Sequence, residues 1–107
     1  MNLDEIVNFT YSRNPLWREK LTKEQVRRTF EILKNNTIEA RINGELVGVG
    51  VYIQFKNELH FISATIKEGI NGMSIMLRAL KSRAKEKGVN YVSWYNPKHK
   101  FKRWEVR

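Results

Sequence analysis

Residues 67 to 74 read Lys67-Glu68-Gly69-Ile70-Asn71-Gly72-Met73-Ser74, a glycine-bearing turn between an apolar strand pattern and an amphipathic helix pattern. Such a turn is suited to holding phosphate. The first N–H groups of a helix lack intrahelical partners, the helix dipole favours an anion there, and glycine lets the backbone approach closely. The residues therefore point to a phosphate-bearing ligand. A second chemically capable set lies near the end of the chain. Trp94, Tyr95, His99, Phe101 and Trp104 interleave with Lys98, Lys100, Lys102 and Arg103. Aromatics alternating with Lys and Arg suit stacking on bases while neutralising phosphates. The same alternation fits a last strand whose Trp104 and Val106 face a core. His60 and His99 lack metal-ligand spacing, so no metal is expected. The absence of cysteine excludes disulfides, thiolate metal sites and cysteine nucleophiles.

The elements that position these residues can be read from periodicity. Asn2-Leu3-Asp4-Glu5 has the form of a capping box, with an apolar stripe of Leu3, Ile6, Val7 and Tyr11 behind it. This helix must end before Pro15. Thr22-Lys23-Glu24-Gln25 opens a second helix whose stripe is Val26, Phe30 and Leu33, and Asn35-Asn36 ends it. Trp17, between the two, is expected in the core. From Ile38 the period becomes two. Ile38, Ala40 and Ile42 alternate with polar residues, and Asn43-Gly44 is a strong hairpin signal. The return strand is expected to place Val47, Val49, Val51 and Ile53 on one face. Gly48 and Gly50 on its other face signal a bulge or close backbone approach. A turn near Lys56-Asn57 leads to a third strand over 59–66, which completes an antiparallel meander. Met73, Met76, Leu77, Leu80 and Ala84 then form a helical stripe that ends at Gly88, a C′ residue. A second apolar strand covers 89–95. The crossover is long enough to make strands 59–66 and 89–95 parallel neighbours. Phe101 to Val106 is expected to form a short C-terminal strand. The fold class is therefore α/β (α+β mixed sheet), in a single domain over residues 1–107.

The net charge of +9 over 107 residues is unevenly placed. Residues 1–77 carry ten Lys/Arg against nine Asp/Glu, whereas residues 78–107 carry ten against two. A basic final third attracts anions, which makes nucleic acid or an acidic protein a candidate partner. No apolar run approaches a membrane span, and the N-terminus lacks the basic-then-apolar layout of a signal peptide. The expected setting is cytoplasmic, with no membrane partner.

The order of two helices, a meander, a glycine turn, a helix and a parallel strand resembles the GNAT (N-acetyltransferase-like) acyltransferase superfamily. Asn43-Gly44-Glu45-Leu46-Val47-Gly48 is similar to a "dGeivG" pattern in that family's second and third strands. Its cofactor loop reads roughly [QR]-x-x-G-x-[GA] before an apolar helix. Gly72 matches the glycine of the final G-x-[GA], Met73 the apolar position, Ser74 the small one and Leu77 the helix leucine. Asn96 sits where an Asn often follows the fifth strand. The resemblance covers about residues 1–96 and departs from the family in three places. Gly69 stands where the loop should open with Gln or a basic residue, leaving Lys67 as a substitute if the loop bends suitably. No segment matches the family's first strand. Pro97-Lys98-His99-Lys100 replaces the helix that often carries a tyrosine acid. The chain looks like a trimmed relative, of the size of small phage or mobile-element members.

The resemblance implies binding of acetyl-CoA or CoA and attack of an amine on an acyl-CoA thioester. Backbone amides from Gly69 to Ser74, with Asn71, Gly72 and Met73, would hold the pyrophosphate. The strand edge near Ala64, Thr65 and Ile66 would pair with the pantetheine, with Lys67 and Asn96 nearby. His60, Glu58 and Glu68 are candidate bases, and Tyr95 and His99 candidate acids. His60 alternates with Ile62, Ala64 and Ile66, which also fits a hydrogen-bonded sheet histidine, and Glu58 also fits a turn terminus. The alternatives are a catalytically inactive scaffold acting through protein contacts, and a nucleic-acid module built on Lys98, Lys100, Lys102, Arg103 and Trp104.

Overall fold

A computed structural model describes residues 1–95 and 100–106; Asn96, Lys98 and His99 lie outside the described residues. Three α-helices precede the sheet: α1 (Leu3–Arg13), α2 (Pro15–Lys20) and α3 (Lys23–Ile32). Asn2 Oδ1 accepts from the Glu5 N–H, but the Glu5 carboxylate bonds Arg41 rather than reaching back, so only half of the first capping box forms. The Thr22–Gln25 box is complete. Pro15 does end α1, yet it also opens α2 at the first helical turn, where its missing N–H costs nothing, and the Asn14 side chain caps that new helix. The short helix α2 is an element that the sequence pattern does not announce. Trp17 on α2 is half-buried and stacks on Phe30 at 5.0 Å.

The sheet follows as β1 (Thr37–Ile42), β2 (Glu45–Phe55), β3 (Glu58–Ile66), β4 (Tyr91–Tyr95) and β5 (Phe101–Glu105), with α4 (Gly72–Lys87) between β3 and β4. The spatial order is β1-β2-β3-β4-β5. All neighbours are antiparallel except β3 and β4, which are parallel, as the crossover required. Asn43 and Gly44 both take positive φ, 51° and 83°, the conformation a two-residue hairpin turn needs. Gly88 closes α4 at φ 70°.

Helix α4 covers one face of the sheet. Met76, Leu77, Leu80 and Ala84 pack there on Ile38, Ala40, Leu59, Phe61 and Val92. Helices α1 and α3 cover the other face, where Ile6, Val7, Phe9, Val26 and Phe30 meet Leu46, Val49 and Val51. The expected single valine face of β2 does not form. Ala40 pairs with Gly48 but Arg41 with Leu46, so Val47 is a bulge and turns toward α4, away from Val49 and Val51. Ile53 is exposed. Gly48 and Gly50 mark close approach: a Cβ on either would lie 2.6 Å from Met76 atoms, and one on Gly50 equally close to Phe61.

Candidate active site

The parallel ladder between β3 and β4 is short. Glu58 pairs with Tyr91, Leu59 with Val92 and His60 with Ser93, and there it stops. Beyond that point β3 runs on beside β2 to Ile66 and β4 beside β5 to Tyr95. The cause of the divergence lies in β3. Val51 pairs with Ser63 and Tyr52 with Phe61, which leaves Ile62 as an extra residue. A bulge bends its strand and increases the local twist, here two residues past the last β3–β4 pair. The strands part around a cleft of about 550 Å³ with His60 at its vertex. Phe61 to Ala64 and Ile66 form one wall, Trp94 and Tyr95 the other, and Met73 at the start of α4 the end. Along this wall the β4-side edge of β3 has no strand partner among the described residues. An unpaired edge is a template for an added extended segment.

The glycine turn lies where Ile66 leads into α4. Gly69 adopts φ 80°, and Asn71 precedes the helix without a side-chain cap. No acidic residue occupies the first turn. Gly72 is buried, and a Cβ there would lie 2.1 Å from Ile66 Cγ2. Its glycine therefore seats α4 on the end of β3. Ser74 is half-buried and Asn71 exposed. The side chains of Thr65 and Lys67 are committed elsewhere. Thr65 Oγ1 accepts from Asn14 Nδ2 at 3.0 Å, and Lys67 Nζ donates to Glu45 at 2.6 Å. Glu68 lies 3.6 Å from Arg13 in an ion pair.

At the vertex a polar chain crosses three strands. His60 Nδ1 lies 2.7 Å from Ser93 Oγ, and Ser93 Oγ donates to Glu58 Oε2 at 2.5 Å. Arg103 Nε on β5 pairs with Glu58 Oε1 at 2.8 Å, and the guanidinium lies over the Tyr91 ring at 3.8 Å. Tyr95 meets the His60 ring edge-on at 5.6 Å, and Phe101 stacks on it at 6.1 Å. The sequence-based candidates Glu58, His60 and Tyr95 thus come together, joined by a residue the sequence reading missed, Ser93. Its signal was faint: a serine between Val92 and Trp94 in an apolar strand. Ser93 is fully buried, and a buried hydroxyl must find partners.

Among the described residues, the basic and aromatic side chains near the end of the chain fall on two faces of the sheet. Pairing of Ser93 with Arg103 and Tyr95 with Phe101 places Arg103 and Phe101 on the His60 face. Val92 pairs with Trp104 and Trp94 with Lys102, which puts those on the α4 side. Trp104 there meets Trp94 edge-on at 4.8 Å, with Lys81 Nζ 5.2 Å from its ring centre.

By sequence, no family model and no curated protein matches the chain. Solved structures do match. An aminoglycoside 6'-N-acetyltransferase complexed with coenzyme A superposes with a TM-score of 0.62 at 17% identity, over 86% of this chain and 53% of that one. The PaiA N-acetyltransferase from Thermoplasma acidophilum, in complex with coenzyme A, gives 0.58 at 18% identity, over 89% and 73%. An IAA acetyltransferase from Bacillus cereus ATCC 14579 gives 0.50 at 16%, over 81% and 55%. The chain has the GNAT fold. It spans between about half and three quarters of the length of these structures.

Proposed function

We propose that this chain binds an acyl-CoA in the cleft between β3 and β4 and transfers its acyl group to an amine. The observation that carries the reading is the divergence of β3 and β4 beyond the His60–Ser93 pair, which leaves an open strand edge leading to an uncapped helix start. Two of the similar structures hold coenzyme A, which agrees with it. An acyl-CoA bound there supplies a thioester whose carbonyl carbon an amine can attack, with thiolate as the leaving group.

The residues present fit that ligand. In the stretch Ala64–Thr65–Ile66 the backbone groups of Ala64 and Ile66 point away from β2 and would pair with an extended pantetheine, with Thr65 between them. The turn from Gly69 through Asn71 to Gly72, Met73 and Ser74 offers N–H groups and the positive end of α4 to the pyrophosphate. Lys67, whose amine is held by Glu45, would lend its positive charge to the ligand by exchanging that partner. His60 accepts the proton of the attacking amine, Glu58 supports it through Ser93, and the Tyr95 hydroxyl gives a proton to the departing sulfur. Both groups regain their starting states by exchange with solvent. The division of the described basic and aromatic residues of β4 and β5 between two sheet faces favours this reading over nucleic-acid binding.

The test is a thermal melt with CoA or acetyl-CoA, since a ligand that binds only the native state raises Tm. The revealing variant is Ser74→Asp rather than a change at Gly72, where any side chain strikes Ile66. A carboxylate in the first turn complements the helix dipole, so the unliganded Tm should hold or rise by the equivalent of about 0.3–1 kcal/mol, while the ligand-induced shift disappears. No shift for the wild-type chain at millimolar CoA or acetyl-CoA would mean that the cleft is vestigial.

A further inference from the structure

The Glu58–Ser93–His60 chain has a direction, and the direction decides what His60 can do. Arg103 pairs with one oxygen of the Glu58 carboxylate, and the other oxygen accepts the Ser93 hydroxyl proton. A serine has a single O–H, so once that proton points at Glu58 the oxygen can only accept from His60. The 2.7 Å contact between Ser93 Oγ and His60 Nδ1 therefore requires a proton on Nδ1. We infer that Ser93, held by Glu58, locks His60 in the Nδ1–H tautomer and leaves Nε2 as the lone-pair acceptor of the cleft.

The groups around the ring are consistent with that assignment. From β3 comes Glu58, from β4 Ser93 and the Tyr95 ring, and from β5 Phe101 together with Arg103, whose charge is spent on Glu58. Full burial of Ser93 keeps water from competing for its hydroxyl. Ser93 is a positioning residue, acting through His60. The use of Nε2 as a base rests on the acyl-transfer reading, whereas the tautomer does not. In that reaction the amine nitrogen gains the acyl carbon and loses one proton to Nε2, while the C–S bond breaks and the sulfur takes its proton from Tyr95. The imidazolium so formed keeps Nδ1–H on Ser93, with the Glu58 charge one hydroxyl away.

Nitrogen-15 NMR of the histidine rings tests the lock without ligand or activity. It is read at about pH 9, where an ordinary histidine is neutral, with His99→Gln assigning the signals. The wild-type chain should show His60 protonated on Nδ1. Glu58→Gln should reverse the chain. Arg103 needs the amide oxygen, so the amide N–H2 faces Ser93, donates to it, and frees the hydroxyl proton for Nδ1. The ring should then shift to the Nε2–H form by about tenfold or more in population, the scale of one charge-assisted hydrogen bond. Ser93→Ala should release the ring toward the form histidine favours in water; if it fails to fold, Glu58→Gln carries the test. An Nε2–H signal in the wild-type chain, or an unchanged Nδ1–H signal in Glu58→Gln, overturns the inference. If CoA fails to bind while the lock is present, only the acyl-transfer reading falls.

Discussion

The two halves of the sheet are built differently. In the β1–β2–β3 half both faces are covered, by α4 on one side and α1 with α3 on the other, and the residues between them are aliphatic and aromatic. In the β4–β5 half only the α4 face is covered. The opposite face carries exposed Tyr95 and Phe101 beside the His60 chain, and Ile53 and Phe55 extend it along β2. Hydrophobic burial holds the first half. The second half is buried on its α4 face alone, through Val92, Trp94 and Val106, and its open face depends on directed polar contacts, which fix geometry more than they add stability. Removing a side chain should therefore damage folding in the covered layers and largely spare it on the open face around His60.

The largest expected effects test that division directly. Phe30 is fully buried and stacked on Trp17, so Phe30→Ala should cost about 3–5 kcal/mol, seen in urea denaturation. His60→Ala should cost about 1 kcal/mol in the same experiment. On the acyl-transfer reading, the rate of that reaction should fall by about 10²–10⁴, with CoA affinity retained. If His60→Ala destabilises the chain as much as Phe30→Ala, the polar chain is a folding element and the contrast between halves fails.

An intermediate effect is expected where the halves meet, at the seat of α4. A methyl on Gly72 would strike Ile66 Cγ2, so Gly72→Ala should cost about 1–3 kcal/mol despite the better helix propensity of alanine. Ile66→Ala removes the obstructing group. The double variant should then be more stable than the two single losses predict, which a double-mutant cycle measures. Strict additivity would show that the close contact is not what requires glycine.

Legibility from sequence follows the same division. The Thr22–Gln25 box, the Asn43-Gly44 turn and α4 with its Gly88 stop are local, and each formed where its residues indicated. The parallel crossover also followed, since its length permits little else. Gly48 and Gly50 signalled a bulge or close approach in β2 without placing the bulge at Val47, and the bulge at Ile62 was not legible. Each depends on pairing register, and a one-residue slip changes the face of every later side chain. The valine face was misread for that reason, and the opening of the cleft past His60 could not be foreseen. Asn14-Pro15 was read as a stop although it also caps a helix, because a proline that ends one helix suits the first turn of the next. Ser93 and Arg103 join Glu58 across strands 35 and 45 positions away in the chain, and nothing in their local pattern specifies that meeting.

The smallest expected effect belongs to the well-covered half, at its β1 edge. The Arg41 guanidinium on β1 bonds Glu5 on α1 and pairs with Glu39 at 3.0 Å, tying the first helix to the sheet. The hydrogen bond from Arg41 holds the Glu5 carboxyl below the usual carboxylate range; desolvation opposes this, and the Arg41 charge adds to it. Because Glu5 binds a proton less readily in the folded chain than in the unfolded one, its contribution to stability is present above the ordinary glutamate pKa. That contribution is lost as pH falls through the lowered folded value. Arg41→Ala should accordingly reduce Tm at neutral pH and low salt by a few degrees or less, as exposed pairs do. The gap between variant and wild type should narrow as the solution is acidified, and also at neutral pH in high salt, where screening weakens the pair. A gap that stays constant from neutral to strongly acid solution would assign the loss to packing of the Arg41 stem rather than to the charge pair.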